Sequence, residues 1–95
     1  MDLERFRKSM NENQAPSEFS LPLQALWSAG RGEWDQAHDL IQDESSRECC
    51  LVHALVHRQE GDLSNARYWY DRAGMRMAEG PIEDEWETIV ASLLC

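Results

Sequence analysis

Residues 25–41, ALWSAGRGEWDQAHDLI, and residues 54–70, ALVHRQEGDLSNARYWY, are two copies of one pattern. The copies begin at positions 25 and 54, which places them 29 residues apart. Each opens on Ala-Leu and carries a glycine and a second alanine at matching positions. A repeat at a fixed spacing of this size is typical of stacked helical hairpins. Because one hairpin alone buries only part of its apolar surface, each needs a neighbour. The pattern therefore predicts an all-α helical-repeat protein.

Capping residues and glycines divide residues 20–95 into five predicted antiparallel helices in a single domain. Residues 1–19 are predicted to be an N-terminal tail, either flexible or containing a short helix. The predicted boundaries are a first helix from Ser20 to Gly30, a second from about Glu33, a third from a Ser45-x-x-Glu48 capping box to Gly61, a fourth from Asp62, and a fifth from Pro81.

The predicted fifth helix has the most regular apolar stripe of the chain. Trp86, Ile89, Val90, Leu93 and Leu94 recur at helical spacing after an acidic first turn. A stripe this apolar must be covered. It can cap the preceding hairpin, or it can pair with its own copy in a structural homodimer. Capping within the chain is expected for the Trp86 and Ile89 side, and a homodimer through whichever apolar end remains is left open.

Composition limits the classes of partner. The chain has 95 residues and a formal net charge of −9, with 18 acidic and 9 basic side chains. Such an acidic protein is a poor non-specific nucleic-acid binder, because that binding rests on neutralising phosphates. No long apolar run predicts a membrane span, and no secretory signal pattern opens the chain. Three cysteines form no even disulfide framework, which favours a reduced, cytoplasmic protein.

The repeats resemble the tetratricopeptide-repeat family and its Sel1-like relatives over about residues 20–94. The segments 32–37 and 61–66 look like that family's Gly-Asp-Tyr-x-x-Ala turn and helix opening. Ala66-x-x-Trp69-Tyr70-x-Arg72-Ala73 is similar to the Sel1-like second helix. The period of 29 is shorter than the family's usual repeat. The resemblance implies a right-handed α-α superhelix fragment of about two and a half repeats.

The same resemblance implies a non-catalytic protein–protein interaction module or adaptor without a cofactor. Its partner would bind the faces of the first helix of each repeat, and the sequence does not identify that partner. Carried over by alignment, the partner-binding groove would be lined by Phe19, Leu26, Glu48, Leu51, Leu55, Arg58, Gln59 and Glu87.

A stripe of metal-ligand residue types on the predicted third helix suggests a different function. Cys49, His53 and His57 recur at every fourth position, so they share one helical face. A metal- or small-ligand-binding protein is therefore an alternative, with His38, Glu60 or Asp62 as sources of further ligands. The repeat alignment favours a packing role, so the expectation is no bound metal. No nucleophile triad or phosphate-binding loop supports an enzyme.

Overall fold

The structure is a computed structural model that describes residues 1–94. Over this range it contains α-helices and no strand, and its radius of gyration is 12.2 Å. The all-α prediction is confirmed: five helices lie between residues 20 and 94, and a further helix lies within residues 1–19, where a flexible tail or a short helix was predicted. The predicted domain also included Cys95, which lies outside the described residues. The helices are α1 (Leu3–Ser9), α2 (Leu21–Gly30), α3 (Trp34–Ile41), α4 (Arg47–Glu60), α5 (Leu63–Ala73) and α6 (Ile82–Leu94).

Local capping explains where α4 and α5 begin and end. The Ser46 hydroxyl accepts from the Cys49 backbone N–H at 3.2 Å, so the N-cap lies one residue after the predicted Ser45. The Asp62 carboxylate accepts from the Asn65 N–H at 3.2 Å, as predicted for an N-cap. Gly61 ends α4 at φ +85°, a left-handed conformation that favours glycine. These caps require no contact from elsewhere in the chain.

The additional helix, α1, lies within the N-terminal tail. The Asp2 carboxylate caps it by accepting from the Arg5 N–H at 2.9 Å. Phe6 is completely buried, with its ring stacked on Phe19 at 5.2 Å and edge-on to Trp86 at 5.8 Å. Aromatic pairs at such distances contribute beyond their buried area. One buried aromatic side chain therefore anchors this short helix to the rest of the core.

The repeated alanines lie in two pairs of consecutive helices: α2 packs on α3, and α4 packs on α5. We call each of these packed pairs a hairpin. Ala25, Ala37, Ala54 and Ala66 are each fully buried. Small side chains at facing positions let helix axes approach to the near end of the usual range. The repeat pattern is therefore a packing pattern at its alanine positions.

Substitution of Ala66 by leucine is expected to lower the free energy of unfolding by about 1–3 kcal/mol, because the larger side chain overpacks the contact with α4. Ala66 forms a buried cluster with Ala54 and Tyr70. Ser64→Leu on the exposed side of α5 is the matched control, with little expected effect. Urea denaturation measures both variants. Equal stability of Ala66→Leu and the parent would contradict the close packing.

The last helix packs across both hairpins rather than extending an open array. α6 contacts α2 and α4, and α1 contacts α6 in turn. The indole N–H of Trp86 donates to the Leu26 carbonyl of α2 at 2.8 Å. A Cβ at Gly30 would lie only 2.7 Å from the Trp86 ring, so this approach requires glycine. Trp86, Ile89 and Val90 are consequently buried within the chain.

Candidate functional site

The apolar residues of the predicted groove are mostly internal. Phe19, Leu26 and Leu55 are all buried in the main core cluster. Phe6 of α1 covers Phe19, and Trp86 of α6 bonds to the backbone of Leu26. These three side chains are therefore not accessible to a partner in this conformation.

Three polar residues of the predicted groove bind other parts of the chain. An Arg58 Nη1 lies 2.9 Å from Glu85 Oε1 of α6, and the Gln59 amide donates to the Ala29 carbonyl at 3.4 Å. Glu87 of α6 pairs with Arg7 of α1. Each contact joins two helices. Arg58 and Glu87 therefore hold α6 against α4 and α1, while Gln59 joins α4 to α2.

The remaining two groove residues, Glu48 and Leu51, line an open groove between α4 and α6. Two cavities of about 300 and 410 Å³ form it and share the lining residues Leu51, Met75, Ile89 and Ser92. We call this surface the α4–α6 groove. Met75 belongs to the connection between α5 and α6, to which the sequence pattern assigned no function.

The floor of the α4–α6 groove is apolar, and its rim carries four acidic and two basic side chains: Glu48, Glu79, Asp84, Glu85, Arg47 and Arg76. Leu51 is half-buried, and Met75 remains 40% exposed. The carboxylates of Glu48, Glu79 and Asp84 form no ion pair with any residue among 1–94. The groove thus combines uncovered apolar area with unpaired negative charge.

A buried polar network borders one end of this groove. The Tyr70 hydroxyl donates to Glu85 Oε2 at 2.5 Å, and Arg58 donates to the other carboxylate oxygen. Burial, followed by the hydrogen bond and charge of Glu85, raises the pKa of Tyr70 well above its usual range. Tyr70 therefore stays protonated and donates. The network ties α4, α5 and α6 together.

All three histidines of the chain converge in a second region, between α3 and α4. The Nε2 atoms of His38 and His53 are 3.2 Å apart. One ligand nitrogen from each of His38, His53 and His57 lies within 4.8 Å of the other two. Cys49, the third member of the predicted stripe, belongs to neither group of three potential metal ligands found among residues 1–94. Burial raises the pKa of the Cys49 thiol, which disfavours the thiolate form that binds metals.

Aromatic side chains enclose the histidine cluster. The Trp69 ring stacks on His53 with centroids 3.8 Å apart, and the Trp34 ring stacks on His38 at 4.9 Å. The Trp34 N–H also donates to the Val56 carbonyl at 2.6 Å, which fixes that indole against α4. His53 and His57 are buried, and His38 is half-buried. Water therefore reaches the cluster mainly on the His38 side.

The surroundings of His53 favour its neutral imidazole. Burial, with smaller contributions from neighbouring His57 and His38, lowers the pKa of His53 to about 4. His53 Nδ1 is buried without a hydrogen-bond partner. His57 Nδ1 lies 2.7 Å from Glu60 Oε1. His53 can therefore present an uncharged ring nitrogen, the form in which histidine binds metals.

Two observations concern the whole chain. None of the helices between residues 1 and 94 is long and apolar enough to cross a membrane. Comparisons with protein-family models, with curated proteins and with solved structures find no match to this chain.

Proposed function

We propose that the chain is a non-catalytic protein-interaction module that binds a polypeptide segment in the α4–α6 groove. The observation that carries the proposal is the continuous apolar floor shared by the two cavities. Leu51, Met75 and Ile89 form this floor, and at its rim the four carboxylates outnumber the two arginines, Arg47 and Arg76. Apolar grooves with a polar rim are typical of peptide-binding surfaces.

The position of the groove agrees with the family resemblance. α4 corresponds to the first helix of the second repeat, and α6 corresponds to the first helix of the truncated third. The resemblance implies that partners bind the faces of first helices. Because α6 and α1 cover the equivalent face of α2, the surface proposed to bind a partner is restricted to Glu48, Leu51 and their neighbours on α6 and the connection.

The chemistry of the groove favours a basic, apolar segment as its partner. One leucine-, methionine- or phenylalanine-sized side chain would cover Leu51 and Met75. Lysine or arginine beside it would meet Glu48, Glu79 and Asp84, which lack ion-pair partners among residues 1–94. Opposite charges at the rim accelerate association and exclude acidic competitors. The net charge of −9 acts in the same direction.

Peptide selection with a displayed library tests the proposal. The full chain is expected to enrich segments that combine a large apolar residue with lysine or arginine. Ser92→Trp places an indole in the groove. It is expected to lower the affinity for the selected peptide at least about tenfold, a loss of about 1.4 kcal/mol of binding free energy. Ser64→Trp, on exposed α5, is the matched control and retains binding. Fluorescence anisotropy measures both affinities.

Equal peptide affinity of Ser92→Trp and Ser64→Trp would contradict a site in the α4–α6 groove. Light scattering of the free protein adds one further outcome. A dimer that Ser92→Trp dissociates and Ser64→Trp preserves would identify a second copy of the chain as the occupant, in place of a basic peptide.

A further inference from the structure

We propose that His38, His53 and His57 form a binding site for zinc(II) or a similar divalent metal ion. One ring nitrogen from each histidine would be a ligand. The site goes beyond peptide binding, because none of these histidines lines either cavity of the α4–α6 groove. It also includes His38 of α3, which the Cys49, His53 and His57 stripe of α4 does not contain. α3 and α4 would hold the ion between them.

The spacing of the nitrogens fits a tetrahedral metal ion with small movements of the rings. Zinc–nitrogen bonds of 2.0–2.1 Å place tetrahedral ligand atoms about 3.3 Å apart. The His38 and His53 Nε2 atoms are already at 3.2 Å, and the third nitrogen lies within 4.8 Å of both. A rotation of the His57 ring would shorten the longer separations.

Glu60 orients the His57 ring as a metal ligand. Glu60 Oε1 contacts His57 Nδ1 at 2.7 Å, and a carboxylate oxygen accepts a hydrogen bond from a ring N–H. In the tautomer in which Nδ1 donates this bond, Nε2 is the nitrogen that remains for an ion. A carboxylate bonded to the outer nitrogen of a histidine is the usual support of a metal ligand, because it sets both the tautomer and the ring orientation.

Ring nitrogens of the histidine cluster are incompletely hydrogen-bonded within the protein. His38 and His53 face each other through Nε2, so a single proton must serve both nitrogens. His53 Nδ1 is buried without a partner in either tautomer. A metal ion accepts both Nε2 lone pairs at once, which one shared proton cannot do.

The ligand type restricts the metal. Three imidazoles without a carboxylate favour zinc, copper, nickel or cobalt over magnesium and calcium, which prefer oxygen. Three protein ligands leave a fourth tetrahedral position, which a water molecule would occupy on the half-exposed His38 side. Stacked Trp34 and Trp69 hold the His38 and His53 rings in position.

A competing ligand group shares one of these histidines. His57, Glu60 and Asp62 also have ligand atoms within 4.8 Å of one another. In that group, however, Glu60 is bonded to His57, and Asp62 accepts from Asn65 as the N-cap of α5. A metal ion there would have to replace both contacts. An ion in the three-histidine group would replace only the contact between His38 and His53.

The test uses the full chain, freed of metal by a chelator and titrated with zinc(II). Isothermal titration and metal analysis are expected to give one zinc per chain, with a rise in melting temperature. Cobalt(II) is expected to give the intense visible absorption of a tetrahedral site. His38→Ala is expected to abolish zinc binding, and because His38 is only half-buried the fold is retained. Circular dichroism checks that fold.

Matched variants separate the possible ligand groups. Glu60→Gln is expected to weaken zinc binding about 10–100-fold, because the carboxylate that orients the His57 ring is lost. Asp62→Asn keeps an N-cap and is expected to bind zinc like the parent, as is Cys49→Ser. The proposal is overturned if folded parent protein binds neither zinc nor cobalt, if His38→Ala retains stoichiometric zinc, or if Asp62→Asn loses it. His38→Gln repeats the ligand test should the alanine variant unfold.

Discussion

Glu85→Ala is expected to lower the free energy of unfolding by about 3–5 kcal/mol. The Arg58 and Glu85 side chains are only 11% and 9% exposed, so the substitution leaves a buried guanidinium without its counter-ion. It also removes the acceptor of the Tyr70 hydroxyl. Urea denaturation followed by circular dichroism measures the loss.

A double variant distinguishes the broken pair from lost packing. Combining Glu85→Met with Arg58→Met replaces both charges by apolar side chains, which is often far less destabilising than removing one partner. The double variant is expected to be more stable than Glu85→Met alone. A single variant as stable as the parent would show that solvent screens this pair.

Trp86→Ala is expected to have a similarly large effect, a loss of about 3–5 kcal/mol. The ring is 4% exposed, packs against Phe6 and Gly30, and donates to the Leu26 carbonyl. Truncation therefore creates a cavity at the point where α1, α2 and α6 meet. Arg7, whose guanidinium lies 5.0 Å from the indole centroid, loses that contact as well.

The control for Trp86→Ala is Trp86→Phe, which keeps an aromatic ring beside Phe6 but lacks the indole donor. It is expected to lose less stability than the alanine variant. Protease sensitivity of residues 1–19 gives a second measurement, since α1 loses its anchor only when the ring is absent. Unchanged stability and unchanged protection in Trp86→Ala would refute the proposed anchoring of α1 by α6.

Local sequence signals were sufficient for most helix boundaries. Gly61 and Asp62 set the α4–α5 turn through backbone conformation and one capping bond, and both were identified from residue type. The N-cap of α4 was predicted at Ser45, one residue too early, because Ser45 and the actual cap, Ser46, have the same side chain. Leu63 has the helical spacing of the buried Ala66 and Tyr70, yet it is the first residue of α5 and is 54% exposed.

Long-range packing was not predictable from the repeat pattern. Phe6 and Trp86 are 80 positions apart, and neither belongs to the repeated segments. Their contact covers the face of α2 that an alignment treats as open. His38 was named only as one possible further ligand, because its distance from His53 depends on how α3 packs on α4. Spacing along a single helix carries no information about such contacts.

The placement of α6 across both hairpins has a consequence for cooperativity. In an open repeat array each unit contacts only its neighbours, so the ends can unfold while the middle persists. Here α6 touches α2 and α4, and α1 holds α6 in place. Melting of the first hairpin would expose the apolar side of α6 and weaken its hold on the second. The protein is therefore expected to unfold in a single transition, like a small globular domain and unlike a chain of separable repeats.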